Sequence, residues 1–312
     1  VERTAASIAA GDLSKRVPPG APDTEVGRLS RSLNAMLAHI EIAFRANAES
    51  EERMRRFVQD ASHELRTPLV TIRGFSELYR HGAISSDEDV ATAMDRIESE
   101  SKRMTQLVED LLTLARLDEQ RSMEPEPLDL LGLASDLLVD TRATAPERQI
   151  TLTGLEPDTS PASAPTLGDP NRLRQVISNL MTNVLRYTPS DTPVEIAVGT
   201  LTDETDDTTK SVIKIRDHGP GISAEDAEKI FQRFYRADTS RDRDTGGSGL
   251  GLAIVAGIIS QHNGTVRHEE TPGGGATMVV QLPYHPLEDD GMDDDDQDRD
   301  STSVSTDRSD DR

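Results

Sequence analysis

Between residues 49 and 115 the apolar side chains step by threes and fours, and this limits the chain's options more than any other feature. Phe57, Ala61, Leu65, Leu69 and Ile72 share one side of a helix expected over 49–80. Val90, Met94, Ile97, Ser101, Met104, Val108, Leu111 and Ala115 repeat the pattern further on. The intervening "HGAISSDED" makes a turn, with Ser86 or Asp87 available as N-cap of the second helix. Two long helices on a short loop form a hairpin. A hairpin alone cannot cover such wide apolar faces, so pairing of two copies into a four-helix bundle is the economical solution, and a homodimer is expected.

Upstream, Val26, Leu29, Leu33, Met36, Ile40 and Ala43 follow heptad spacing, after the Gly/Pro-rich connector "GDLSKRVPPGAPD". Residues 1–10 read as the end of another helix. Taken alone, this stretch fits a coiled-coil seam and an amphipathic helix on a globular core equally well. The chain opens on Val1 in mid-pattern, which leads us to expect an upstream part that could include membrane spans. No run of about 18 apolar residues exists in the sequence itself.

Downstream the period changes. "EQRSMEPEPL" carries two prolines and reads as a linker. Beyond it "ITLTG", "PVEIAVG", "SVIKIRD", "GTVRHEE" and "ATMVVQLP" have the β-branched enrichment or alternation of strands. Helices are expected at 129–144, 170–187, 223–231 and 249–262, the second opened by Asp169 as N-cap and Pro170 at the first helical position. Strands alternating irregularly with helices over 128–287 suggest a two-layer α/β domain. The formal net charge of -23 argues against nucleic acid as a direct partner. Much of that charge lies in "DDDDQDRD" and its neighbours, a composition expected to be disordered. Cysteine is absent, so thiolate chemistry and disulfides play no part.

Two groups of residues carry chemistry. In "ASHELRTPLV", His63 and Glu64 form an ionisable pair, and Pro68 follows within one turn and a half. Proline has no N–H, so the carbonyl of Glu64 loses its helical partner, and a bend or soft point is expected beside His63. In the α/β half, Asn179 and Asn183 are four apart on one helix face. A carboxamide oxygen is a neutral, hard ligand suited to Mg2+, which takes its other ligands from water and phosphate. Asp217 ends a strand and meets Gly219 and Gly221, which let the backbone turn tightly against a flat ligand. Its carboxylate can accept from an exocyclic amine such as that of adenine. Gly247, Gly249 and Gly251 precede an apolar helix whose free N–H groups and dipole favour an anion. The glycine cluster is neither a Walker loop nor a Rossmann fingerprint.

Four pieces in this order, "NLMTNVLRYTP", "DHGPGI", "FQRFYR" and "GGSGLGLAI", resemble the ATP-binding domain of sensor histidine kinases, a Bergerat-type fold shared with gyrase and certain chaperones. "HELRTPL" matches the phosphoacceptor box of that family, and "IAAGDLSKRVPPGAPDTEVGRLSRSLNAMLAHIE" looks like the second part of a HAMP linker. Val184, where alanine is commoner, and His218, where asparagine is frequent, are small departures.

The resemblance implies that Asn183 coordinates magnesium and that Asn179, Arg186 and Tyr187 line the nucleotide site. It also implies that Asp217 reads adenine, and that 236–251 is a lid carrying its glycines over the phosphates. His63 would be the phosphoacceptor, Glu64 its orienting base, and Thr67 the residue that positions a water to dephosphorylate a response regulator. The implied organisation is a HAMP remnant over 1–46, a dimerisation and phosphotransfer domain over 47–120, a linker at 121–127, an ATP-binding domain over 128–287 and a disordered acidic tail over 288–312. A cytoplasmic portion of a bacterial membrane protein is expected, with ATP and Mg2+ as ligands and a response regulator and a second copy as partners. A scaffold that binds nucleotide without transfer is the alternative, and a gyrase-like ATP clamp fails because it has no use for the phosphoacceptor box.

Overall fold

The structure, a computed structural model, describes residues 15–18, 24–118, 124–203, 207–236 and 247–287. The expectations for residues 1–10, for most of the lid and for the acidic tail lie outside the described residues. Those within 1–121 and 223–257 form one compact unit, and those within 122–222 and 258–312 form another.

The first unit is built on two helices, α1 (Glu25–Arg80) and α2 (Asp87–Asp118). The sequence pattern predicts two helices where α1 is one of 56 residues, so the boundary expected near residue 46 falls inside a continuous helix. The reason is local. "AFRANAESEE" holds no glycine or proline, and the i,i+4 pairs Glu41–Arg45 (2.8 Å) and Glu51–Arg55 (3.4 Å) flank it. Nor does Pro68 end the helix: α1 runs through it, with the proline ring buried. Thr24 caps α1 by accepting from Gly27 N–H. Ser86 does the same for α2, its Oγ 3.1 Å from Asp89 N.

Ahead of α1, the Asn34 carboxamide clasps the backbone of Val17, accepting from its N–H at 2.8 Å and donating to its carbonyl at 2.9 Å. Val17 and Leu37 are buried there. Many other apolar side chains of the hairpin are not. Val58, Leu69, Val70 and Leu112 are each more than half exposed.

The second unit is an α/β sandwich. Its five-stranded sheet has the order β2-β4-β5-β7-β6, made of β2 (Ile150–Thr153), β4 (Val194–Asp203), β5 (Thr208–Asp217), β6 (Thr265–Glu270) and β7 (Ala276–Pro283). Only β2 and β4 run parallel; the other neighbours are antiparallel. Helices α3 (Leu130–Thr144) and α4 (Pro170–Tyr187) pack on one face. In α4, Leu173, Val176, Ile177, Leu180, Met181 and Val184 form one buried stripe, against Val194, Ile196, Val198, Ile213 and Ile215 of the sheet core. Each such side chain contributes about 1.5–3 kcal/mol by leaving water.

The strands β1 (Glu126–Asp129) and β3 (Pro165–Gly168) form a separate antiparallel pair that the sequence pattern does not predict. Each has four residues and a proline, so neither shows alternation. Their pairing is made by tertiary contacts, and it takes Glu126 and Pro127 out of the expected linker.

Two further helices are shorter than expected. The helix predicted over 223–231 is only α5 (Ala224–Ala227), because the chain then tightens into i→i−3 bonds, Lys229 N to Asp226 O and Gln232 N to Lys229 O. The last, α6 (Gly251–Gln261), starts two residues late because Gly249 takes φ +69°.

Candidate functional site

In the α/β unit the site is organised by Asp217, the last residue of β5 and 5% exposed. Its Oδ1 accepts two backbone hydrogen bonds, from Gly219 N (2.9 Å) and Ala276 N (3.2 Å). Among the described residues no donor reaches Oδ2, which leaves that oxygen to accept from a ligand. The second donor comes from the β6–β7 hairpin "TPGGGAT", which the sequence reading passes over. There Gly273, Gly274 and Gly275 all have positive φ, and a Cβ on Gly275 would lie 2.1 Å from the carbonyl oxygen of Asp217. Three consecutive glycines before a strand are the signal that could have found it. Together with "GPGI" the hairpin lines a cleft at Pro220, Gly221, Glu270 and Thr271.

Behind the Asp217 turn lies a cross-strand charge cluster. Glu195 of β4 receives Arg216 at 2.6 Å and His218 Nε2 at 3.2 Å. Burial alone would raise the Glu195 carboxyl, but the hydrogen bonds from His218 and Arg216 outweigh it and hold its pKa below the usual range. His218, the departure from the commoner asparagine, thus ties down the strand end that carries Asp217.

Asn179 and Asn183 lie one turn apart on α4, both half-buried. The Asn183 carboxamide nitrogen is buried with no hydrogen-bond partner. An unsatisfied amide donor there could serve a phosphate oxygen, and the carboxamide oxygen beside it is a ligand type that fits a hydrated Mg2+. Arg186 and Tyr187, at the C-terminal end of α4, are exposed. Next to them Thr188 abuts the Asp217 turn: a Cβ on Gly219 would meet its Cγ2 at 2.6 Å. Gly221, with φ +75°, faces the Gly275 carbonyl.

In the helical unit His63 is exposed on α1. Glu64 turns its carboxylate to Arg103 of α2 at 3.7 Å, and no hydrogen bond joins it to the His63 ring. Neighbours in a helix point about 100° apart, which explains the separation. The Thr67 hydroxyl lies 3.4 Å from the His63 carbonyl ahead of Pro68, and Thr71 Oγ1 lies 3.2 Å from the Thr67 carbonyl beyond it.

The same unit holds the residues on either side of 237–246, within the segment expected to act as a lid. Phe234 stands at φ +61°, its N–H donates to Gly249 O at 3.0 Å, and a Cβ on Gly249 would come within 2.9 Å of the Phe234 backbone. Phe234 and Gly249 are thereby held against each other. Tyr235 OH bonds Asp226 at 2.5 Å, a contact that lowers the Asp226 pKa. Phe57 of α1 meets the Phe234 ring at 6.4 Å between centroids, with the Arg233 guanidinium 5.6 Å above its own ring. Ser248, between buried Gly247 and half-buried Gly249, bonds the buried Asp110 of α2 at 2.8 Å. Gly251 opens α6 with nothing within 4 Å of its would-be Cβ.

Three stretches match family models: residues 168–286 the "Histidine kinase-, DNA gyrase B-, and HSP90-like ATPase", 53–120 the "His Kinase A (phospho-acceptor) domain", and 1–41 the "HAMP domain". The chain belongs to the sensor histidine kinases. It is 45% identical over 282 residues to the "Probable sensor histidine kinase TcrY" of Mycobacterium tuberculosis, covering 88% of this chain and 56% of that protein. With the sensor histidine kinase TrcS of the same organism the figures are 40% over 276 residues, 87% and 52%. This sensor histidine kinase chain thus spans about half the length of the curated relatives it matches. Among solved structures, the Acinetobacter baumannii histidine kinase AdeS is similar at 25% identity and TM-score 0.52, covering 72% of this chain and 98% of that one.

Proposed function

We propose that the chain is an ATP-dependent autokinase that phosphorylates His63 and passes the phosphoryl group to an aspartate of a response regulator. One observation carries the reading. An exposed histidine beside a carboxylate sits in the segment matching the phospho-acceptor model, and the segment matching the ATPase model holds a buried carboxylate, Asp217, with one oxygen fixed by two backbone donors and the other left without a protein donor among the described residues.

In this reading Asp217 Oδ2 accepts from the adenine amine, and Asn179, Arg186 and Tyr187 flank the nucleotide. Gly247, Gly249 and Gly251 approach its phosphates. Asn183 would hold Mg2+, which when bound neutralises phosphate charge. A neutral His63 nitrogen attacks the γ-phosphorus, a P–N bond forms, the bond to the β-phosphate oxygen breaks, and ADP leaves. The proton on the other ring nitrogen passes to Glu64, which must first leave Arg103. Thr67 would position the water that dephosphorylates the regulator. A Thr67→Ala protein that dephosphorylates the regulator at the native rate would remove that role.

The exposed apolar side chains Val58, Leu69, Val70 and Leu112 favour a second copy as the cover of the hairpin. Sedimentation as a monomer at micromolar concentration would overturn that. We also place the chain on the cytoplasmic side of a membrane protein, on the strength of its HAMP match. Among the described residues no helix is long and apolar enough to cross a membrane.

The deciding experiment is incubation with Mg2+ and γ-labelled ATP. Acid-labile, base-stable label that vanishes in His63→Gln is expected. Label undiminished in that variant would refute the assignment, and nucleotide binding with no label at all would favour the scaffold reading.

A further inference from the structure

We propose that Arg148 is a positioning residue of the nucleotide site, acting through the C-terminal end of α4 on the turn that holds Asp217. Arg148 lies in the tight turn between α3 and β2, far in sequence from every motif named above, and is 8% exposed. No carboxylate pairs with it among the described residues. Its two terminal nitrogens are instead spent on four main-chain carbonyls of a single segment. One donates to Pro189 O and to Thr192 O (3.0 Å), the other to Leu185 O (3.2 Å) and Thr188 O (2.8 Å).

These carbonyls end α4 and open the loop to β4. The last carbonyls of a helix are orphaned and carry the negative end of its dipole, so a buried cation is stabilised there without a counter-ion. The planar fork matters as much as the charge. Four acceptors on two nitrogens use every N–H of the terminal pair, and an ammonium, with three protons on one atom, cannot match them.

The clamped segment reaches the site directly. Thr188 gives its carbonyl to Arg148, its hydroxyl bonds Val184 O at 2.7 Å, and its Cγ2 occupies the space a Cβ on Gly219 would need. Gly219 N–H in turn holds Asp217 Oδ1. Arg186 and Tyr187 lie inside the same clamped stretch. A chain of direct contacts thus leads from the guanidinium through Thr188 and Gly219 to the carboxylate. The inference rests on the reading of Asp217 as the adenine contact.

The test measures Mg-ATP affinity and His63 labelling in the full chain. Arg148→Lys should weaken ATP binding about tenfold, as a displaced site does, while labelling at saturating ATP stays within about twofold. Asp217→Asn, made alongside, tests the underlying reading. If it binds ATP like the native chain, that reading fails. If it loses binding while Arg148→Lys binds normally, only the positioning role fails.

A purely structural arginine is distinguished by coupling. Gly219→Ala pushes a methyl against Thr188, and once Arg148→Lys lets Thr188 withdraw, that methyl should cost less. The double variant should therefore lose at least about fivefold less affinity than the product of the single losses. Losses that simply multiply would overturn the proposal. Should Arg148→Lys not fold, Thr188→Ser decides, because it deletes Cγ2 and keeps the hydroxyl and the clamped carbonyl. It should raise the Kd at least about threefold, and native binding by that variant would equally overturn the proposal.

Discussion

The helical hairpin and the α/β unit solve the burial problem in opposite ways. In the α/β unit Ile196, Ile213, Ile215, Ile258 and Leu282 are all essentially sealed from water, and Asp217 is held by backbone donors from two loops. In the hairpin, helices of 56 and 32 residues leave Val58, Leu69, Val70 and Leu112 more than half exposed. His63 is exposed there too, and its neighbour Glu64 is engaged elsewhere. One region is complete as a single chain and pre-shapes its site. The other leaves His63 and several apolar side chains open to water, which suits the phosphoacceptor and the second copy proposed above. A nucleotide pocket gains from rigidity, whereas a phosphoacceptor must be reached in turn by a kinase domain and by a regulator.

The same substitution should therefore have opposite signs in the two regions. Gly275→Ala puts a Cβ 2.1 Å from the Asp217 carbonyl oxygen, at a φ of +116°. Sealed packing cannot yield to it, and a loss of roughly 3 kcal/mol in α/β stability is expected, with ATP binding weakened as Ala276 N–H leaves Asp217. Gly74→Ala, in mid-α1 with nothing within 4 Å of the new methyl, should instead stabilise the hairpin by about 0.5–1 kcal/mol, because alanine loses less backbone entropy in a helix. Hydrogen exchange reports the two regions separately. Slower exchange in β5 and β7 of Gly275→Ala, or faster exchange around residue 74 of Gly74→Ala, would break the comparison.

What the sequence discloses follows the same divide. Periodicity reveals α2 and α4 nearly residue for residue, because an apolar stripe and a clear cap fix each, although only in α4 is that stripe buried within the single chain. It divides α1, since a change of apolar register near residue 46 resembles an ending although no breaker stands there. The residues around Asp217 are legible as types, and the fold brings Asp217, Gly219 and Thr188 together. What holds them is not legible. Ala276, Gly275 and Arg148 act through backbone atoms or on carbonyls, and such contacts carry no residue-type signature. Likewise β1 and β3 exist only through each other. At Glu64 the expectation of a bond to His63 is met by a pair with Arg103, which only the hairpin geometry places within reach.

The smallest expected effect concerns acid, and it should touch only the α/β unit. His262 is 3% exposed, its Nδ1 lies 2.8 Å from Ile258 O, and its Nε2 is 3.0 Å from Asp169 N. A backbone N–H can only donate, so Nε2 is the acceptor and Nδ1 carries the proton. Burial lowers the pKa of this imidazole, against the weaker pulls of the Ile258 carbonyl and Asp169, with Arg172 adding to the lowering. The folded state therefore prefers the neutral ring, whereas the unfolded chain takes up a proton near pH ~6.5. The stability from His262 is fully present above that value and is lost as pH falls from it toward the folded pKa. Protonation would set an N–H against the Asp169 N–H at the very residue that caps α4 through Asn171 and Arg172. Between pH 7.5 and 5.5, above the range where carboxylates titrate, protection of the first turns of α4 should fall once intrinsic exchange rates are corrected for. The amides of α2, a helix that contains no histidine, should hold theirs. In His262→Gln, which can still accept and donate, the pH dependence of α4 should flatten. Equal protection at both pH values in the native chain would show that the capped helix does not depend on the neutral ring.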